Sequence, residues 1–139
     1  MKIIDLIFSK ISSEAMKTKR ELKELPKVKA DLKTKELEKV DIEGQKERKL
    51  LNLSFTFNVD YAPSLANVII EGNLIIGASK DEAEEAVKEW KKSKTIDFKI
   101  LNFLLNKCNV RALQLEDDLK LPYHISLPRI RPKVIEEKK

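Results

Sequence analysis

His124 and Cys108 are the only histidine and the only cysteine in this chain, and their placement limits its chemistry. One histidine cannot build a multi-histidine metal site, and it has no partner set for a nucleophilic triad. His124 stands between Tyr123 and Ile125 in the proline-rich stretch LPYHISLPRIRP, where it reads as a surface or interface residue. Cys108 falls in an apolar helical stretch and reads as a small buried hydrophobe rather than a nucleophile. A lone thiol forms no internal disulfide. The glycines, Gly44, Gly72 and Gly77, are too scattered to cradle a phosphate. The acid pairs Glu84–Glu85, Asp117–Asp118 and Glu136–Glu137 are sequence neighbours, so they do not face one another on a helix. No catalytic residue, metal set or cofactor loop emerges, and the expectation is a non-enzyme that works without a cofactor.

Charge and aromatic placement bear on binding. Charged residues are 37% of the 139-residue chain, above the usual fraction of about a quarter. The excess is mainly Lys and Glu, the bias of hyperthermophile proteins. Lys17 to Lys35 holds eight basic and three acidic residues, an excess equal to the whole net charge of +5. Such a segment attracts nucleic acid, and nucleic-acid binding is the alternative function. Interleaved Glu21, Glu24 and Asp31 favour a solvated lysine-rich face instead. Phe55, Phe57 and Tyr61 are spaced to stack nucleobases, but no Lys or Arg is interleaved with them, and core is the preferred reading. No apolar run approaches the roughly 20 residues that span a bilayer. MKIIDLIF carries Asp5 inside its apolar stretch and does not read as a signal peptide, so the expected location is cytoplasmic.

The elements that position these residues follow from periodicity. One domain over 1–139 is expected, with N-terminal strands and the basic segment in 1–49, a β-hairpin in 50–77, helices in 79–120 and an extended tail in 121–139. IIDLIFSKI reads as a strand, and SSEAMKTKRELKEL as either a short helix or a strand end and loop. Val28, Ala30, Leu32 and Thr34 alternate with charged neighbours in a half-buried strand reaching Val40. DIEGQKER, 41–48, reads as a polar turn pivoting on Gly44. Leu51, Leu53, Phe55, Phe57, Val59 and Tyr61 then alternate with polar residues, a register that one-residue slippage would ruin. Ala62, Pro63 and Ser64 break it, and the next strand puts Val68, Ile70, Leu74 and Ile76 on one face with Ile69 and Ile75 on the other. Gly72 marks a bulge or a close backbone approach. Ser79 and Glu82 have capping-box spacing ahead of a helix to about Lys92 with Ala83, Ala86, Val87 and Trp90 inward. A second helix, 97–120, with Asn109 as the place for a bend, is apolar on more than one face, which predicts a partner.

This order, with FTFNVDYAPSLANVIIEG, KEWKK and LNKCNVRALQLEDDLKLPYHISLP, resembles archaeal members of the SecB-like family over residues 50–130, and more loosely ISSEAMK in the N-terminal part. The resemblance implies an α+β fold: an antiparallel sheet of about four strands with two C-terminal helices packed on it. It implies a homo-oligomer, dimer or tetramer, acting as an ATP-independent chaperone that holds unfolded or partner polypeptides, either in protein transport, in general holding or beside a toxin–antitoxin system. The acidic features with which bacterial members dock the export motor have no match here beyond Glu71. The remaining alternative is a non-catalytic assembly subunit with one fixed partner. The candidate protein-binding or subunit-interface residues are Ile69, Ile75, Phe103, Leu104, Tyr123, Ile125 and Leu127.

Overall fold

The alternating stretches of the sequence become long strands, and the computed structural model describes them within residues 1–15, 27–62 and 66–126. They are β1 (Lys2–Ala15), β2 (Lys27–Ile42), β3 (Gln45–Ala62) and β4 (Ala66–Ser79), followed by helices α1 (Lys80–Ser93) and α2 (Phe98–Asp118). The strands form one antiparallel sheet in the order β1-β4-β3-β2. This is the α+β arrangement expected from the sequence. Both helices lie on the same face, α1 over β2, β3 and β4, and α2 over β4 and β1. The core is the layer between them. Leu51, Leu53, Phe55, Phe57, Val59 and Tyr61 of β3 and Val68, Ile70, Leu74 and Ile76 of β4 are all buried there, so the aromatic stripe is core and not a stacking platform.

The β2–β3 connection is tighter than the sequence suggested. Instead of a turn over 41–48, β2 runs to Ile42 and β3 starts at Gln45. Gly44 adopts φ +80° in a two-residue turn, a backbone region suited to glycine. The polar residues Gln45 to Glu47 lie beyond Arg48, where β3 loses β4 as a neighbour, and the register with β2 jumps from Lys49 opposite Asp41 to Gln45 opposite Ile42, leaving Lys46 to Arg48 bulged out of that pairing. An arm that projects past the sheet has no core face, so it shows no alternation. Lys49 Nζ closes on Asp41 Oδ1 at 3.0 Å across it, and that ammonium holds the Asp41 carboxyl below its usual range. β1 runs to Ala15, so Ser12 to Ala15 form the strand end that is one of the two sequence readings of this stretch. Residues 16–26, which carry half of the basic segment, are outside the described part.

Gly72 is where two strands come closest. In register it lies between Phe8 of β1 and Phe55 of β3, and those rings meet over it edge to face at 6.3 Å. A Cβ there would strike the carbonyl oxygen of Ile7 and sit 3.0 Å from Phe8 Cα. The expected irregularity is real, but the bulge itself is on β1, between Phe8 and Lys10.

α1 starts as its capping box predicts. The Ser79 hydroxyl accepts from the Glu82 N–H at 3.2 Å, and Glu82 Oε1 accepts from the Ser79 N–H at 3.1 Å. That backbone bond is the first cause that pulls the Glu82 carboxyl below its usual range. Ala83 and Trp90 are buried beneath the helix, with Ala86 and Val87 at its margin. α2 runs unbroken through Asn109, with no interruption at the place suggested for a bend. Its buried positions are Ile100, Leu104, Cys108, Ala112 and Glu116, a single i+4 ridge of the kind that packs against a neighbour. Burial pushes the Cys108 thiol up to about 12, in keeping with an inert core cysteine.

Candidate functional site

The last member of that ridge is a carboxylate. Glu116 is fully buried, 0% exposed, at a position the helical pattern reserves for an apolar side chain. Asn109 lies two turns earlier on the same face. The His124 ring spans the two: Nδ1 is 2.6 Å from Glu116 Oε2 and Nε2 is 2.8 Å from Asn109 Oδ1. The His124 backbone N–H donates to Glu116 Oε1 at 3.1 Å. The ring also meets the Phe57 ring edge to face at 5.8 Å. Beside it the Tyr61 hydroxyl donates to the Pro122 carbonyl. Burial first, and then the neighbouring Glu116 carboxylate, push the Tyr61 phenol up. Tyr123 donates to Asp117 Oδ1 at 2.9 Å, and that bond is the leading cause of its raised phenol.

His124 is therefore not the surface histidine its proline-rich setting suggested, since its side chain is 1% exposed. A Glu–His pair invites a catalytic reading, but both groups are sealed and both ring nitrogens are engaged, so no substrate atom can reach them. The arrangement fastens the tail instead. With Asn109 Oδ1 as acceptor, the ring donates from both nitrogens and forms a charged pair with Glu116. With the amide turned over, a neutral ring is equally satisfied. Either way the buried carboxylate has the donors it needs. No sequence rule links Asn109, Glu116 and His124, and the one available signal is an acid standing on a core ridge.

The chain reaches this site through a reversal at the end of α2. Leu121 N–H donates to the Glu116 carbonyl at 2.8 Å and Lys120 N–H to that of Asp117 at 3.1 Å. Lys120 takes φ +56°, where glycine is the usual residue. Lys120→Gly should raise stability by about 0.5–1 kcal/mol by relieving the left-handed strain, a gain measurable by urea denaturation.

Open apolar surface lies elsewhere. On α2, Phe98 is 68% and Val110 56% exposed, with Leu105 exposed between them. At the β1 edge Ile4 and Ile7 are exposed. Ile69 and Ile75 sit, half-buried, on the helix-free face of the sheet, flanked by Ser12 and Asn58 and by Asp5 and Asn52 respectively. Phe103 is partly buried against the core, its ring 5.6 Å from Lys107 Nζ. Leu104 is a correction: it lies on the buried ridge, fully covered by the sheet, and offers nothing to a partner. Tyr123 and Ile125 are exposed, and Leu127 lies outside the described residues. Lys27, Lys29, Lys33 and Lys35 are exposed on β2, the other edge strand. Where the β2–β3 arm overhangs the start of α1, a cleft of about 600 Å³ is lined by Ile4, Ile42 and Leu50 together with Lys2, Arg48 and Lys49. Among the described residues, no group of three or more His, Cys, Asp or Glu side chains is placed to hold a metal ion, and no helix is long and apolar enough to cross a membrane.

No protein-family model matches the chain, and no curated protein matches it. Among solved structures it is similar to the Mycobacterium tuberculosis Rv1957 SecB-like chaperone in complex with a ChAD peptide from the Rv1956 HigA1 antitoxin. The TM-score is 0.50 at 13% identity, covering 94% of this chain and 89% of that one. At that identity the likeness speaks for architecture alone. The chain has a SecB-like fold.

Proposed function

We propose that this chain is an ATP-independent, SecB-like protein-binding module that holds unfolded or partner polypeptides on apolar surface, as a cytoplasmic homo-oligomer and not as an enzyme. The observation that carries this reading is the outer side of α2. Its inner ridge is already consumed by the sheet, yet Phe98, Leu105 and Val110 remain outside. Phe98 and Leu105, seven residues apart, share one stripe of the helix, and apolar side chains grouped on a surface mark a place that takes a partner. The exposed Ile4 and Ile7 on the β1 edge add backbone groups that accept a further strand. Ile69, Ile75, Phe103, Tyr123 and Ile125 extend the candidate surface, with Leu127 from the tail. The fold-level likeness to a chaperone captured with a peptide supports a protein-binding role.

The test is suppression of aggregation of a thermally unfolding client, without nucleotide, with oligomeric state followed by light scattering. The unaltered chain should suppress aggregation. A Phe98→Ser, Leu105→Ser, Val110→Ser variant should bind client roughly tenfold more weakly or worse while keeping its circular dichroism. If it also falls to monomer, that face of α2 is subunit interface, and if it stays assembled, the face is groove. A wild-type chain that leaves aggregation unchanged at several-fold excess over client refutes the holding role.

A further inference from the structure

The tail is fastened by polar groups while its apolar side chains stay outside. Tyr123 and Ile125 are 42% and 38% exposed. What enters the protein is the Pro122 carbonyl and the His124 backbone N–H and ring. The receiving side is a built site: the fully buried Glu116 carboxylate, the Asn109 amide, the Tyr61 hydroxyl and the Phe57 ring as a wall. A buried carboxylate without donors is strongly unfavourable, so this site has to be filled. Its needs are a carbonyl oxygen, a main-chain N–H two residues later and an imidazole, all of which any extended peptide with a suitably placed histidine supplies.

We propose that Tyr61, Asn109 and Glu116 form a peptide-recognition site for an extended segment that presents a histidine with a main-chain carbonyl two residues before it, and that residues 122–125 are its tethered occupant. Tethering gives the tail an effective concentration in the millimolar range, so an outside segment enters when the tail lifts. The site lies at the C-terminal half of α2, next to Val110 and carrying Tyr123 and Ile125 of the candidate surface, whereas Phe98 and Leu105 lie nearer the start of the helix. The inference borders on the holding role, and its tests are chosen so that they do not depend on client aggregation.

Hydrogen exchange on the unaltered chain reads the lifting directly, because the His124 N–H donates to Glu116. That amide should exchange roughly 100-fold or more faster than the Leu53 and Ile70 amides of the central strands. Exchange of His124 only by global unfolding overturns the proposal. A labelled peptide of residues 119–126, LKLPYHIS, should bind the full-length His124→Ala variant about tenfold or more tighter than the unaltered chain. The same peptide with its histidine replaced by alanine should bind neither. Equal affinity for the two proteins, or no binding to a His124→Ala chain that circular dichroism shows to be folded, overturns it as well. Should that variant not fold, the exchange of His124 in the unaltered chain still decides.

Discussion

Gly72→Val is expected to remove at least about 3 kcal/mol of folding stability, read as a lower urea midpoint and a melting temperature down by about 10 °C. The reason is positional. Gly72 is in register with Phe8 on one side and Phe55 on the other, and the β1 backbone at Ile7 and Phe8 fills the space that its own side chain would take. A side chain there meets backbone, the Ile7 carbonyl and the Phe8 Cα, and backbone in a paired strand cannot swing aside as a flexible side chain can. The relief open to the protein is to shift β1 off β4, which strips cover from Ile70 and Leu74. Gly77→Ala is the control. Its Cβ is tight only against the Ile4 side chain, at 3.1 Å from Cδ1, with the Lys2 carbonyl oxygen at an ordinary 3.7 Å, and Ile4 is exposed and free to turn, so less than about 1 kcal/mol should be lost. Equal losses at the two sites would show that β1 is not held against β4 in this register.

That close approach was legible as a kind of event but not as a geometry. A glycine amid Ile70 and Leu74 announces a bulge or a near contact, while the strand that bends to meet it, β1 at Phe8 to Lys10, carries no matching signal. β3 was legible throughout Leu51 to Tyr61 because burial on one face forces strict alternation. It was illegible over Gln45 to Glu47, where the arm leaves the sheet and neither face needs to be apolar. The cap of α1 was legible because Ser79 and Glu82 meet through local spacing. The surplus of apolar residues on α2 was legible as a total. Its division was not: Leu104 went under the sheet and Leu105 stayed outside, and one residue of helical phase separates core from candidate surface. The tail site was least legible of all. Asn109, Glu116 and His124 meet only because a left-handed Lys120 turns the chain back along α2, and composition carries no trace of that reversal. His124 therefore read as a residue of an exposed, proline-rich tail.

The buried pair is expected to give an ordered set of stabilities rather than a single loss. His124→Ala leaves the Glu116 carboxylate without its ring donor. Leaving a buried charge without its partner typically loses about 3–5 kcal/mol, and the lower end, about 3 kcal/mol, is expected because the tail can lift and let water reach the carboxylate. Glu116→Leu removes the charge and strands only the His124 backbone N–H and one ring nitrogen, for a loss of about 1–3 kcal/mol. The double change, Glu116→Leu with His124→Leu, replaces the pair with apolar groups at a ridge position whose predecessors are Ile100, Leu104, Cys108 and Ala112. It should be less damaging than His124→Ala alone, because an apolar replacement of a buried pair is often neutral or better. Urea denaturation of the three variants gives the order, and the coupling between the two positions follows from the cycle. Strictly additive losses would mean that the two side chains stabilise the fold independently. The double variant has a second consequence: it keeps the fold while erasing the polar address of the tail. If Glu116 is retained in place of a better-packed leucine because it reads the segment that docks on it, the double variant should hold its stability and lose all affinity for the 119–126 peptide. If the pair serves stability alone, that loss of recognition will have no counterpart in the unaltered chain, where the tail will be found permanently in place.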